Sequence, residues 1–495
     1  MRPITTTFFS TLDREQTIDC LKFLLLPWKW KNWKNGKYVK EAEELLAAYL
    51  PAGTTHPPKE YPETEHAPSL QQGKKRIYSF YNGRAALYYS LKAAGISEGD
   101  EVIIQAYTCI TVPNAVIEAG AKPVYCDIDK TLNLDPENLR KKITAKTKAI
   151  IIQHTFGTPA KIDEIQDICE NYCRQSLAST DKSRSHNTCL RKIPPTPPLQ
   201  KGGANAPIIL IEDCAHSLGA KYKGRLVGTF GDISMFSFGR DKVISSVNGG
   251  MMCINNEELQ HTPSPSLEGN SHISYSHLSS PPYLLIIRNL LYPMLAEISL
   301  KWYNKLEIGK IIMYASKKLR LFPLILNKEE KIGSFPLCQT HYHMPNVLAY
   351  LFVKQFKKLD KYNEHRKKIA EFYDKNLPPV ETEHSPSLQK KCDPIFLRCT
   401  IFTEKAKELI KAAKKHDIYL GDWYRSVVAP KDIDLYSIGY EQNMCPKAEQ
   451  YAALTVNLPN HSGVTMEDAR KVADIVTQIC VAENLKIISL KIEKF

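Results

Sequence analysis

The sequence predicts an α/β protein, with a large lobe on a mostly parallel sheet followed by a smaller C-terminal α+β lobe. Two observations carry this. From Asn82 to Asn255, helical periodicity alternates with short apolar runs, the pattern of a sheet covered by helices. From Phe335 to the end, helices and a strand mix without that alternation. A chain of 495 residues, 43% hydrophobic and 24% charged, is long enough for more than one lobe.

Taken in order, the large lobe reads as helix Arg84–Ala94 and strand Glu101–Gln105, helix Val112–Ala119 and strand Pro123–Asp127, then helix Pro136–Ile143 and strand Ala149–Gln153. Helix Lys161–Cys173 precedes strand Pro207–Ile211, and a further run, Ile233–Phe238, follows. Leu284–Phe322 is apolar and basic together. Beyond it, Val347–Leu359 and Arg366–Leu377 read as helices, Ile395–Phe402 as a strand and Glu404–Lys415 as a helix. Four similar low-complexity segments interrupt this order: 68–73, 197–202, 265–269 and 386–390. Rich in Pro, Ser, Thr or His, they cannot bury a core and read as related surface insertions. The expected organisation is therefore an N-terminal arm with an insertion (1–73) and a large domain (74–260, inserted at about 177–204). An insertion with the apolar, basic segment (261–334) and a small domain (335–495, inserted at about 380–392) follow.

Composition narrows the function. Lys and Arg number 66 against 53 Asp and Glu, a net charge of +13 that favours anionic partners such as nucleotide diphosphates. No zinc finger, RNA-reading aromatic motif or dense basic helix marks a nucleic-acid binder. Thirteen cysteines without a CxxC pair read as reduced thiols of a cytoplasmic protein, and Cys169 and Cys173, with His186 and Cys189 downstream, read as dispersed thiols rather than a zinc site. Residues 1–22 lack the apolar core of a signal peptide, and Leu284–Leu300 is broken by Arg288, Asn289, Pro293 and Glu297. The segment Leu284–Phe322 is expected to pack at a subunit interface rather than to lie on a membrane. The tryptophans and lysines alternating over Pro27–Lys34 are likewise expected to pack as part of the arm, although the composition also suits a membrane interface or a nucleotide base and diphosphate.

The chemistry concentrates between Asp213 and Lys242. The aliphatic run Ile208–Ile211 delivers Glu212, Asp213 and His216 to one sheet edge, and Ile233–Phe238 delivers Gly239 to Lys242. In such sheets ligands sit at the carboxyl ends of the strands. A carboxylate and an amine there suit a pyridinium cofactor: the acid keeps the ring nitrogen protonated and the amine attaches the cofactor. Each alone has a plainer reading, the acid as a cap and the lysine as a solvated side chain.

Six blocks lift the reading. Asn82–Leu87, Gly99–Ile103, Gly120–Val124, Ile211–His216, Gly228–Asp232, and Phe236–Phe238 followed by Lys242 and Gly249-Gly250 resemble, in order and spacing, the DegT/DnrJ/EryC1/StrS family of sugar aminotransferases. A thinner match continues through Met344-Pro345-Asn346 and Val456–Pro459. The resemblance implies a fold-type-I enzyme dependent on pyridoxal 5'-phosphate, usually a homodimer with active sites at the subunit interface. It implies that Lys242 forms the Schiff base and shuttles the proton, that Asp213 partners the pyridine nitrogen and that His216 lies near the ring hydroxyl. Ser237 and the backbone amides of Arg84 and Ala85 would hold the phosphate, as a helix N-terminus suits an anion.

Three positions depart from the pattern. Cys109 stands where the family often has an aromatic residue over the ring, with Tyr107 two residues before. Asn248 replaces an acid ahead of the paired glycines. His341 corresponds to an Asn that reaches the partner subunit's phosphate, with His343 at a commonly basic position. Some relatives carry His in place of the lysine and eliminate a hydroxyl, so Lys242 favours transamination over a sugar dehydratase. The expected activity is transfer of an amino group, with glutamate the usual donor by resemblance, onto a keto-sugar nucleotide for amino-sugar or polysaccharide (including lipopolysaccharide) biosynthesis. A non-catalytic regulatory or scaffold protein on the same fold is the alternative.

Overall fold

The central sheet has seven strands: β1 (Arg76–Phe80), β2 (Glu101–Gln105), β3 (Lys122–Cys126), β4 (Thr147–Gln153), β5 (Ile209–Asp213), β6 (Ile233–Ser237) and β7 (Gly250–Ile254). Their spatial order is β1-β7-β6-β5-β4-β2-β3. Every neighbouring pair from β6 to β3 is parallel, while β7 runs antiparallel to both β6 and β1. The computed structural model describes residues 3–6, 13–50, 75–180, 207–256, 259, 278–303, 307–323, 326–334, 341–377 and 392–489. The four Pro/Ser-rich segments lie outside the described residues.

Continuous aliphatic strands are what a sheet buried on both faces requires. Successive residues of β4 alternate between two cores. Ile150 and Ile152 join Ile103, Leu139, Ile165 and Leu210 under α5 (Pro136–Lys142) and α6 (Ile162–Thr180). Ala149 and Ile151 join Val102 and Ile104 under α3 (Gly83–Ala93) and α4 (Thr111–Glu118). The predicted elements of this lobe lie within a few residues of the observed ones. The largest difference is α6, which runs to Thr180 and so passes the expected insertion boundary at 177.

The arm is integral to the fold. Ile4–Thr5 pairs in parallel with Ile418–Tyr419 of the small lobe. Helices α1 (Arg14–Leu25) and α2 (Tyr38–Tyr49) pack on α7 (Tyr283–Lys301) and α9 (Asn346–Phe356), respectively. Asp13 caps α1 by accepting from the Gln16 N–H at 2.7 Å, and also accepts from Lys358 Nζ, Gln355 Nε2 and Tyr362 Oη. The apolar, basic segment forms two helices, α7 and α8 (Ile308–Lys318).

In the small lobe a sheet of Cys399–Phe402, Thr455–Leu458 and Ile488–Ser489 is covered by α10 (Leu359–Asn376), α11 (Ala406–Lys414) and α12 (Met466–Ala482). The helix expected from Arg366 starts at Leu359, and the strand expected over Ile395–Phe402 begins only at Cys399. A φ of 49° at Phe396 breaks the extended run.

Candidate active site

Strand ends assemble the site. Asp213 closes β5 and lies opposite Met235 of β6, so the acid and the loop after β6 share one end of the sheet. The loop from Gly239 to Asn248 carries Lys242, whose N–H donates to the Gly239 carbonyl at 3.3 Å. The loop is closed by Phe238 N–H donating to Gly249 O at 2.8 Å and Ser246 N–H donating to Phe238 O at 3.1 Å. Val247, in the left-handed region at φ 70°, stores backbone strain in it. The ammonium of Lys242 has no hydrogen-bond partner among the described residues. It acts electrostatically on Asp213, His216, Asp241 and Cys109.

Asp213 is 6% exposed and accepts from the Ala215 N–H at 3.0 Å. Burial raises its carboxyl above the usual range, even though the Ala215 N–H and Lys242 favour the charged form. Such a carboxyl is a ready partner for a cation. His216 is pushed well below the usual imidazole value, first by burial and then by Lys242 and Arg398. It is a neutral ring, and its Nδ1 is buried without a partner. The ring stacks with Phe156, centroids 5.8 Å apart at 19°, and with Tyr424 at 6.3 Å and 30°.

The phosphate end is narrower than the sequence suggests. Asn82 caps α3, and its Oδ1 accepts from the Ala85 N–H at 2.8 Å, so that amide is occupied. The N–H groups of Gly83 and Arg84 remain at the helix start with positive dipole. Gly83 is pressed against Ser237: a Cβ on it would lie 2.6 Å from both Ser237 Cβ and Oγ. The Arg84 guanidinium is engaged elsewhere, in an ion pair with the buried Glu330. His341 stands apart, on an extension that lies along the end of β1: its carbonyl accepts from Ser279 N–H, and the neighbouring Tyr342 carbonyl from Tyr81 N–H. Burial lowers the His341 imidazole, and its Nε2 has no partner. His343 shares a hydrogen bond with Ser280 Oγ at 2.9 Å.

Thr108–Cys109 pairs in parallel with Val428–Ala429 of the small lobe, which sets Cys109 at the rim beside Lys242. Tyr107 is turned away and fully buried, its hydroxyl 2.7 Å from Thr455 Oγ1. Behind Asp213, Glu212 is fully buried and accepts from the N–H groups of Gly228 (2.7 Å), Phe230 (2.6 Å) and Gly231 (2.7 Å) and from His154 Nε2 (3.1 Å). His154 Nδ1 accepts from Ala160 N–H, which fixes the tautomer. Burial would raise Glu212, but His154 and the amides outweigh it and hold the carboxyl below its usual range. With Cys214, this pair makes the one His/Cys/acid cluster with metal-ligand spacing among the described residues. The His154 and Glu212 ligand atoms are already committed to hydrogen bonds, so the cluster reads as framework.

Sequence reasoning missed the small lobe's part. Arg398, 5% exposed, donates through Nη1 to Thr6 O at 3.1 Å and through Nη2 to Asp241 O at 3.5 Å, with the Asp241 carboxylate 3.7 Å away. Arg366, 1% exposed, donates through Nη2 to Val243 O and through Nη1 to Asn363 Oδ1 at 2.8 Å. Two arginines thus clamp the backbone on either side of Lys242. The available signal was a single arginine inside the apolar run Ile395–Phe402.

A lysine, a buried acid and a helix start converging at the strand ends define a site for a phosphorylated pyridine cofactor on an α/β fold. The DegT/DnrJ/EryC1/StrS aminotransferase family model matches residues 59–173, 196–264 and 325–477, and the chain belongs to that family. The uncharacterized protein MJ1066 of Methanocaldococcus jannaschii is 27% identical over 83% of this chain and 87% of its own. GDP-perosamine synthase of Escherichia coli O157:H7 is 38% identical, over 36% of this chain and 40% of its own length. Among solved structures, the putative sugar aminotransferase Spr1654 from Streptococcus pneumoniae in its PLP form superposes with a TM-score of 0.60 at 19% identity, covering 96% of this chain and 98% of that one. The fold is therefore type I, the family is one of sugar aminotransferases and its cofactor is pyridoxal 5'-phosphate. The unpartnered His216 nitrogen, the buried Asp213 carboxyl and the helix start at Gly83 fit that group.

Proposed function

We propose that this chain transfers an amino group from an amino acid, glutamate as the leading donor, to a keto-sugar nucleotide. The observation that carries the reading is the grouping of Lys242 with the buried Asp213 at neighbouring strand ends. Bound there, pyridoxal 5'-phosphate supplies an electron sink for the breaking bond. The chain's own residues do the rest. Lys242 offers an amine for covalent attachment and, once displaced, Nζ moves a proton between donor or sugar carbon and the cofactor. Asp213 holds the negative charge that keeps the pyridine nitrogen protonated. His216, neutral and buried, offers Nδ1 as a hydrogen-bond partner to the ring. Ser237 and the N–H groups of Gly83 and Arg84 bind the phosphate, and the rim at Cys109 leaves a smaller contact over the ring than an aromatic residue would.

By the family resemblance, His341 completes the partner's phosphate site in a homodimer; its buried Nε2, which has no partner among the described residues, supports that reading. The excess of basic residues supports an anionic substrate such as a nucleotide diphosphate. The test is reconstitution with the cofactor, borohydride reduction and peptide mapping, then turnover of a keto-sugar nucleotide panel with glutamate. Covalent label on Lys242 and amino-sugar product are the expected results. A Lys242→Ala variant that retains borohydride-fixed cofactor would overturn the site, and loaded protein that aminates no keto sugar would overturn the reaction.

A further inference from the structure

The family model leaves residues 265–324 unmatched, and that stretch contains both α7 and α8. Helix α7 has 19 residues and two apolar faces. Its inner face is buried through Ile286, Leu290, Pro293 and Ala296, and Asn289 Nδ2 donates to Tyr81 Oη at 2.7 Å. The outer face repeats Leu284, Ile287, Leu291, Leu295 and Ile298 at three- and four-residue spacing, a single stripe along the whole helix. Leu284 is 57% and Ile298 43% exposed, and the three between them are partly exposed. On α8, Ile311 and Tyr314 are 62% and 68% exposed.

The stripe continues into the N-terminal arm at its other end. Trp33 packs on Tyr283 with centroids 6.1 Å apart, and the Lys34 ammonium sits 4.2 Å above the Tyr283 ring. Trp28 and Trp30 next to them are 66% and 47% exposed. Only Trp33 of this arm fulfils the expectation of ordinary packing. Contiguous exposed apolar side chains rimmed by charged ones mark interaction sites.

Charge decides what covers the surface. Residues 283–322 carry seven Lys and Arg against two Glu, and Lys29, Lys31, Lys34 and Lys37 interleave with the tryptophans. One of the two acids, Glu307, is paired with Lys310 at 2.6 Å. A second copy laid on this face would set positive charge against positive charge. Exposed Trp, Tyr and aliphatic side chains among lysines instead match the headgroup layer of an anionic bilayer. Because α7 is held to the protein by its inner face, it would lie on the bilayer rather than cross it. We propose that the α7–α8 hairpin and the tryptophan arm dock this protein on an anionic lipid surface.

The test is flotation of the full-length protein with phosphatidylcholine vesicles, with and without phosphatidylglycerol. Binding is expected to the anionic vesicles only, weakening as salt rises. Lys317→Glu with Lys318→Glu should lower partition at least about 30-fold, as two positive charges are lost and two negative ones gained. Leu284→Ser with Ile298→Ser should abolish it. Thermal melts confirm that these surface variants fold, and sedimentation equilibrium reports their mass. Failure to bind either vesicle, or undiminished binding by both variants, overturns the proposal. A fall in mass of the serine variant overturns it in favour of a second copy as the occupant.

Discussion

Arg398 of the small lobe grips Asp241 of the large lobe, one residue before Lys242, through both the Asp241 carbonyl and its carboxylate. With Arg366 holding the Val243 carbonyl, the lysine loop is fixed by the other lobe. The two lobes therefore share control of where the amine stands.

Arg398→Met should loosen that loop. Asp241, kept below its usual range by Lys242, Arg398 and Arg240 against burial, loses one of three cations. Because the Asp241 side chain is 22% exposed, solvent recovers part of the loss, and a destabilisation of about 1–3 kcal/mol is expected. The absorbance band of bound cofactor should broaden or shift in Arg398→Met and recover in Arg398→Lys. Thermal melts and spectra of the loaded variants check both.

Asp213→Asn separates function from stability. The folded carboxyl titrates above its unfolded value, so the native state is penalised as pH rises through the ordinary carboxylate range, about 4, to the raised value. The cofactor-free variant should then match the parent at pH 3 and be at least as stable at pH 7. Oδ1 of the asparagine still accepts from Ala215. Amine transfer should fall at least 100-fold, measured as single turnover with glutamate.

Glu212→Gln should cost about 3–5 kcal/mol, since an amide cannot accept four hydrogen bonds where a carboxylate does. The folded Glu212 titrates below its unfolded value, so its contribution is present above about pH 4.3 and is lost as pH falls through the lowered folded value. The parent and variant denaturation midpoints should converge in acid.

Gly83→Ala tests the phosphate end. The added methyl would meet Ser237 Cβ at 2.6 Å, too close for either backbone to remain in place. Alanine's better helix propensity, worth about 1 kcal/mol, offsets part of the strain. Cofactor affinity should drop by more than tenfold, read by equilibrium titration of the cofactor-free protein.

Much of the large lobe was legible because its strands are buried on both faces and its helices on one, which leaves distinct periods in the sequence. Asp213 and Lys242 were legible as an acid and an amine following two apolar runs, and His216 and Ser237 only through the family resemblance. The internal acceptor of the Ala85 amide has a local reason: Asn82 is a strong N-cap residue, and its side chain takes the third amide of the first turn. Arg366 and Arg398 were invisible as a pair because 32 positions separate them and only folding brings both to one loop. The outer face of α7 was legible as composition, but not as exposure. The same apolar stripe suits packing and solvent equally until the partners of the inner face are known.

Strand β7 lies between β1 and β6 although 169 residues separate the ends of β1 and β7 that pair at Phe80 and Gly250. During synthesis, β1 emerges early but has no strand to pair with until the chain has passed Ile254. The helix start that would hold the phosphate and the serine facing it are thus joined only late, by the return strand. Contacts of such sequence separation fold slowly, and an N-terminal fragment ending before residue 250 would expose β1 as an unpaired edge. For this protein the ability to hold its cofactor is a property gained only once the chain has passed residue 254, not by any smaller unit of it.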